Sequence, residues 1–170
     1  MKRRSFFNLI LGFCTTAVSA IVGLPVLSVF FDPARKQTVR RGDKPHEFEA
    51  VESLPIDIPR KREIIQKGTD AWDRSDPKPV GAVWLVRRKG NTVDAFSVAC
   101  PHLGCATGFN SEKNVFFCPC HDSAFSLEDG KTIFGPAPRG LDPLPVKIEE
   151  GKILVTFKKF IQGITSRKEA

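Results

Sequence analysis

The chain has 170 residues, 41% of them hydrophobic and 26% charged; these are the proportions of one folded domain with a short appendage, and they exclude wholesale disorder. Its net charge of +7 sits at one end: residues 1–41 hold seven Lys/Arg against one acid, and residues 42–170 hold nineteen against eighteen. The body is thus nearly neutral and lacks the basic stripe a nucleic-acid module carries, so no nucleic-acid partner is expected.

From Phe6 to Phe31 run 26 residues without a charge. As a helix this stretch is roughly 39 Å long, enough to cross a hydrocarbon core of about 30 Å with some tilt. Pro25 falls in its last third, where a membrane helix tolerates a kink. The preceding Lys2-Arg3-Arg4-Ser5-Phe6-Phe7 resembles a twin-arginine export signal. Three basic residues precede the span and four follow it (Arg35, Lys36, Arg40, Arg41), so charge counting alone does not orient it. Val18-Ser19-Ala20 has the small residues of a cleavage site, but a cut there would leave apolar Ile21 to Phe31 as the new terminus. Residues 1–31 are therefore read as an uncleaved signal anchor in the lipid bilayer, with Cys14 as an apolar filler. Residues 32–45, charged and with prolines near both ends, read as a tether or hinge.

Thirteen Gly, thirteen Pro and fourteen Phe against one Met and no Tyr point to turns and short strands. His46 reads as an isolated surface residue. Residues 56–79, with Trp72, carry no clear pattern. Val80 to Val86 is rich in β-formers, Lys89-Gly90-Asn91 turns, and Thr92 to Val98 returns. Val115 to Phe117 is a further strand, and Pro145 to Ile148 with Ile153 to Phe157 a hairpin. Trp72 and Trp84 are read as packing residues. The pattern predicts an all-β sandwich or barrel. Residues 161–170 are expected to form a frayed or peripheral tail.

Two segments interrupt the strands: Cys100-Pro101-His102-Leu103-Gly104-Cys105 and, after twelve residues, Cys118-Pro119-Cys120-His121-Asp122-Ser123. Four of the five cysteines and two of the three histidines thus fall within 22 positions, which points to a metal site, a disulfide or both. Structural zinc usually takes Cys-x2–4-Cys pairs and four ligands. Here a single residue separates Cys100 from His102, and six candidates are present. An arrangement that uses all six binds two irons through one cysteine and one histidine per segment and bridges the segments with the remaining cysteines. Thiolates then suit one iron, and neutral imidazoles hold the other and raise its potential.

Both boxes, together with Gly135-Pro136-Ala137-Pro138 and the N-terminal anchor, resemble the Rieske iron–sulfur proteins of the membrane-bound, cytochrome bc-type branch. The resemblance implies a Rieske-type antiparallel β-sandwich over residues 46–160, with cluster-binding loops at about 99–140 and one [2Fe–2S] cluster. It assigns Cys100 and Cys118 to the inner iron, His102 and His121 to the outer iron, and Cys105 with Cys120 to a disulfide. It further implies that Leu103 and Pro136 shield the cluster, that Leu103 docks on a cytochrome b subunit, and that the Ser123 hydroxyl bonds a bridging sulfide. His121 would accept the proton of a quinol, and the head would swing to deliver the electron to a c-type cytochrome within a dimeric complex. Such a disulfide needs an oxidising compartment. This orients the anchor in a bacterial cytoplasmic membrane, N-terminus inside and domain outside.

Two positions depart from the usual second box. Phe125 stands where high-potential members carry a tyrosine whose hydroxyl bonds a ligand sulfur, and Asp122 replaces a glycine. Loss of a donor and gain of an acid both favour the oxidised state, which predicts a potential low in the range of about −150 to +300 mV and suits menaquinol. Asp122 also tolerates a left-handed backbone, should that position require one. The alternatives are the small Rieske subunit of an exported molybdenum oxidoreductase such as arsenite oxidase, and a tethered zinc or disulfide-stapled binding module.

Overall fold

The computed structural model describes residues 3–35, 45–69 and 74–170. The first stretch is one helix, α1 (Arg3–Arg35), of which Arg3–Ser28 is long and apolar enough to cross a membrane. Three of its hydroxyls fold back onto the helix: Thr15 and Thr16 donate to the Gly12 carbonyl and Ser28 to that of Pro25. These three need no partner in lipid. Apolar side chains are exposed on all sides of the helix, and Cys14 is exposed with a free thiol. The helix runs four residues beyond the predicted anchor. Of the tether expected over 32–45, residues 36–44 lie outside the described residues.

The domain is built of β1 (Pro45–Ala50), β2 (Arg60–Thr69), β3 (Arg74–Arg87), β4 (Val93–Ser97), β5 (Gly108–Asn110), β6 (Val115–Cys118), β7 (Ser123–Ser126), β8 (Thr132–Phe134), β9 (Val146–Glu149) and β10 (Lys152–Thr156). They form three antiparallel sheets, ordered β1-β10-β9, β2-β3-β4 and β5-β6-β7-β8. The expected all-β fold and both predicted hairpins are present.

Why the run Val80–Val86 is apolar almost without alternation follows from its place. In β3, Val83 and Leu85 join one core with Ile153 and Val155 of β10, and Trp84 and Val86 join a second core with Phe116 of β6 and Phe125 of β7. β4 divides in the same way, Val93 and Ala95 to the first core and Phe96 to the second. The side-chain period of two sends alternate residues to opposite faces, so a strand covered on both faces reads as a continuous apolar run. Within the second core Phe116 packs against Trp84, Phe96 and Phe109 at centroid distances of 5.4, 6.0 and 6.0 Å, each such pair contributing about 0.5–1.5 kcal/mol beyond its buried area. The Trp84 Nε1–H donates to Thr107 Oγ1 (3.0 Å), whose hydroxyl donates to the Val98 carbonyl. Trp84 is a packing residue, as expected; Trp72 lies outside the described residues.

Three expectations are corrected or completed. Residues 60–69 and 74–79, unassigned from sequence, are strand: β2 pairs along β3 with two irregularities in register, and Pro79 lies opposite Ile65 at the first of them, a position where a strand tolerates proline. His46 is half-buried rather than on the surface, lies opposite Val155, and burial lowers its pKa. The segment 161–170 is exposed but tied down. Ile161 N–H donates to the Lys168 carbonyl (2.9 Å), Ala170 N–H to that of Lys159 (2.9 Å), and Lys158 pairs with Glu169 (2.5 Å).

Candidate metal centre

Beyond the second core three loops converge. The first is a tight hairpin closed by the Ala99–Ala106 bridge and by Cys100 N–H to the Cys105 carbonyl (2.8 Å). It turns at Gly104, whose φ is +79°, so that His102 is half-buried and Leu103 stands 64% exposed at the tip. The second loop, 119–122, joins β6 to β7 where Cys118 pairs with Ser123. It carries His121 into the open, and it closes through Asp122 at φ +53°. This is the left-handed conformation that Asp adopts more readily than most residues, which explains an aspartate where the related box has glycine. The third loop is Gly135 to Pro138. Gly135 has φ +98°, and a Cβ there would sit 2.5 Å from the Asp122 carbonyl oxygen and from Ser123 Cα, so only glycine lets this loop lie flat on the second.

The six cysteine and histidine side chains singled out from sequence meet here. Cys105 and Cys120 form a disulfide with Cα atoms 6.6 Å apart. Cys100 and Cys118 are free thiols and buried. The His102 and His121 rings lie edge to face with centroids 4.7 Å apart. The Sγ atoms of Cys105, Cys118 and Cys120 lie within 4.8 Å of one another, but two of these three are spent on the disulfide, so that trio is not a donor set. Burial pushes the Cys100 thiol up to about 11, and the adjacent Cys118 thiol adds to the effect; the His102 and Leu103 N–H groups face its sulfur and act in the opposite sense. A thiol so placed gives up its proton when a metal binds the sulfur, and the proton is released to solvent.

A cluster of two irons and two inorganic sulfides fits these residues. Two buried thiols, two imidazoles side by side near the surface and a disulfide between the loops leave no cysteine or histidine of the two segments unused. Ser123 adds an independent sign: its Oγ is buried and has no hydrogen-bond partner among the described residues, as expected of a hydroxyl that bonds a group absent from the polypeptide. Phe125, two residues on, is fully buried in the same core as Cys100 and Cys118. Leu103 and Pro136 are both exposed at this end of the domain. Sequence reasoning missed Gly135's contact with the second loop and the burial of the Arg139–Asp142 pair; the spacing of three residues allows that pair, but the close approach at Gly135 and the burial are set by the fold.

Substituting Gly135→Ala is expected to strain the backbone by about 1–3 kcal/mol and to push the second and third loops apart. Iron per chain and the thermal midpoint should both fall. A variant with full iron content would show that the close approach is dispensable.

The comparisons with known proteins agree with this chemistry. The family model described as the Rieske [2Fe-2S] domain matches residues 46–150. A menaquinol:cytochrome c reductase iron-sulfur subunit of Geobacillus thermodenitrificans is 30% identical over 157 residues, 90% of this chain and 89% of the relative. A cytochrome b6-f complex iron-sulfur subunit of Chlorobaculum tepidum is 30% identical over 160 residues, 92% and 76% of the two chains. Among solved structures, the plasma membrane Rieske protein of Synechocystis PCC 6803 is 31% identical, with 47% of this chain and 81% of that chain covered and a TM-score of 0.41. The chain belongs to the Rieske family. Its cofactor is one Rieske [2Fe–2S] cluster.

Proposed function

We propose that this chain is the electron-transfer subunit of a membrane-bound quinol–cytochrome c oxidoreductase, which works with a cytochrome b subunit, menaquinol and a c-type cytochrome in a dimeric complex. The observation that carries this reading is the paired imidazoles at an open end of the domain, His121 the more exposed of the two, in a chain whose N-terminal helix is apolar enough to span a bilayer. When bound, the cluster supplies a one-electron acceptor whose reduction makes its imidazole ligands more basic.

The residues then divide the work. Cys100 and Cys118, buried, would hold one iron of the cluster, and His102 and His121 would hold the other. The ring nitrogen of His121 left free by the metal meets a quinol hydroxyl, orients it by a hydrogen bond and holds the departing proton. Leu103 and Pro136 keep water from the cluster edge, and Leu103 gives an apolar tip to dock on cytochrome b. The Ser123 hydroxyl, buried and without a partner among the described residues, would donate to a sulfur of the cluster, and the disulfide holds the two ligand loops in register.

The 32–45 tether lets the head leave the quinol site and reach the cytochrome. The twin-arginine segment and the disulfide support a head on the outer face of the cytoplasmic membrane, because such a bond persists in an oxidising compartment.

Isolation of the complex from detergent-solubilised membranes through an affinity tag on this chain tests the reading. It should bring b-type and c-type haem with the chain, and a reduced menaquinol analogue should elicit a rhombic paramagnetic signal with average g below that of the free electron. A preparation that holds the cluster without haem, or that brings molybdenum instead, overturns it.

A further inference from the structure

The segment after β10 reaches back to the first loop. Gly163 N–H donates to the carbonyl of Pro101 (2.9 Å), the residue before His102. The Gln162 side chain lies 3.8 Å from where a Cβ on Gly104 would stand, and a Cβ on Gly163 would lie 3.7 Å from the His102 carbonyl oxygen. Residues 162 and 163 therefore rest against the backbone on both sides of His102.

One buried cation takes two carbonyls of that segment. The Arg139 guanidinium donates through Nε and Nη2 to both carboxylate oxygens of Asp142 (2.8 Å each). Its Nη1 donates to the carbonyl of Ile164 (2.5 Å) and Nη2 also to that of Ile161 (3.0 Å). The Arg139 and Asp142 side chains are 5% and 2% exposed. Asp142 is fixed in turn: its carbonyl accepts from Ser97 N–H (2.8 Å), and Arg167 Nε stands 3.4 Å from its carboxylate. Arg139 follows Pro138 directly, so the loop that lies on the second box also carries the side chain that anchors the support of the first. A rigid fork of donors makes these bonds together; an ammonium, with three donors at one point, does not.

We propose that Arg139 is a positioning residue for the cluster: by gripping the Ile161 and Ile164 carbonyls it presses residues 161–164 onto the first loop and fixes the backbone that aims His102. The inference rests on His102 being a cluster ligand. Absence of a second histidine nitrogen coupling from the spectrum of the wild-type protein would refute that assignment, whereas changes confined to the variants below bear on Arg139.

Two variants of the full chain test it. Arg139→Lys keeps the charge beside Asp142 and loses the fork. Arg139→Met combined with Asp142→Leu removes the pair without stranding a buried carboxylate, so it holds its fold even where the lysine variant does not. Arg62→Lys, at the ion pair with Glu49 that joins β2 to β1, is the control. In both test variants the Gly163 amide should lose its protection from hydrogen exchange. Iron release to a chelator should quicken about tenfold, the usual scale for groups that orient a metal ligand, and the reduced cluster's paramagnetic lines should broaden. The control should change none of these. The proposal fails if the Gly163 amide is freed while iron release and line widths stay at wild-type values, or if that amide stays protected without Arg139.

Discussion

Replacing Cys105 and Cys120 together by alanine is expected to lower the stability of the domain by about 3 kcal/mol, the chain-entropy value for a closed loop of this size, and to leave it without iron. The bond closes a separation of 15 residues. Its mechanical role is larger than its entropy suggests, because it ties the exposed second loop to the base of the first. Pro119, Cys120, His121 and Asp122 are all exposed, so little apolar packing holds the second loop once the bridge is cut. The two hydrophobic cores lie behind it and keep the sheets. Chemical denaturation, iron and acid-labile sulfide per chain, and the far-ultraviolet spectrum separate these effects. A double variant with native sheet content and a full complement of iron and sulfide would show that the loops hold their own register.

The second expected result concerns the potential. Phe125→Tyr should make the cluster more oxidising by about 50 mV. A hydrogen bond worth about 1–1.5 kcal/mol more to the electron-rich state corresponds to roughly that shift for one electron, for which a tenfold change is about 59 mV. Phe125 is fully buried in the core that holds Cys100 and Cys118, so a hydroxyl added there has sulfur nearby and no water to compete for it. Redox titration of the purified protein followed by its paramagnetic signal reads the change, with cluster content as the control for packing damage. An unchanged or lower potential at full cluster content would remove the account of why this chain suits a low-potential quinol.

The site was legible from sequence because its donors are concentrated in two short segments, whose chemistry admits few arrangements. Cys105 and Cys120 pair as the family resemblance implied, and Asp122 takes the left-handed backbone that its glycine-like position suggested. The anchor was equally plain, as a long run without charge has few other uses. β2 was not, because Arg60-Lys61-Arg62-Glu63 mimics a solvated loop. It lies at the edge of its sheet, and of its described side chains only Ile64 is fully buried. A strand exposed over most of its length has no alternation to read. The tail is peripheral, as one of its two readings had it, and that it is also tied down was illegible for a related reason. Part of its order comes from Arg139, which is 22 and 25 residues from the carbonyls it holds, and no local pattern records so distant a donor.

β3 has a consequence for how the head fails. Since Val83 and Leu85 belong to one core and Trp84 and Val86 to the other, neither half retains its packing when this strand peels away. The two cores then melt together, whereas the exposed loop 119–122, held by the disulfide, belongs to neither of them. Heat should therefore dissolve all three sheets in a single cooperative transition.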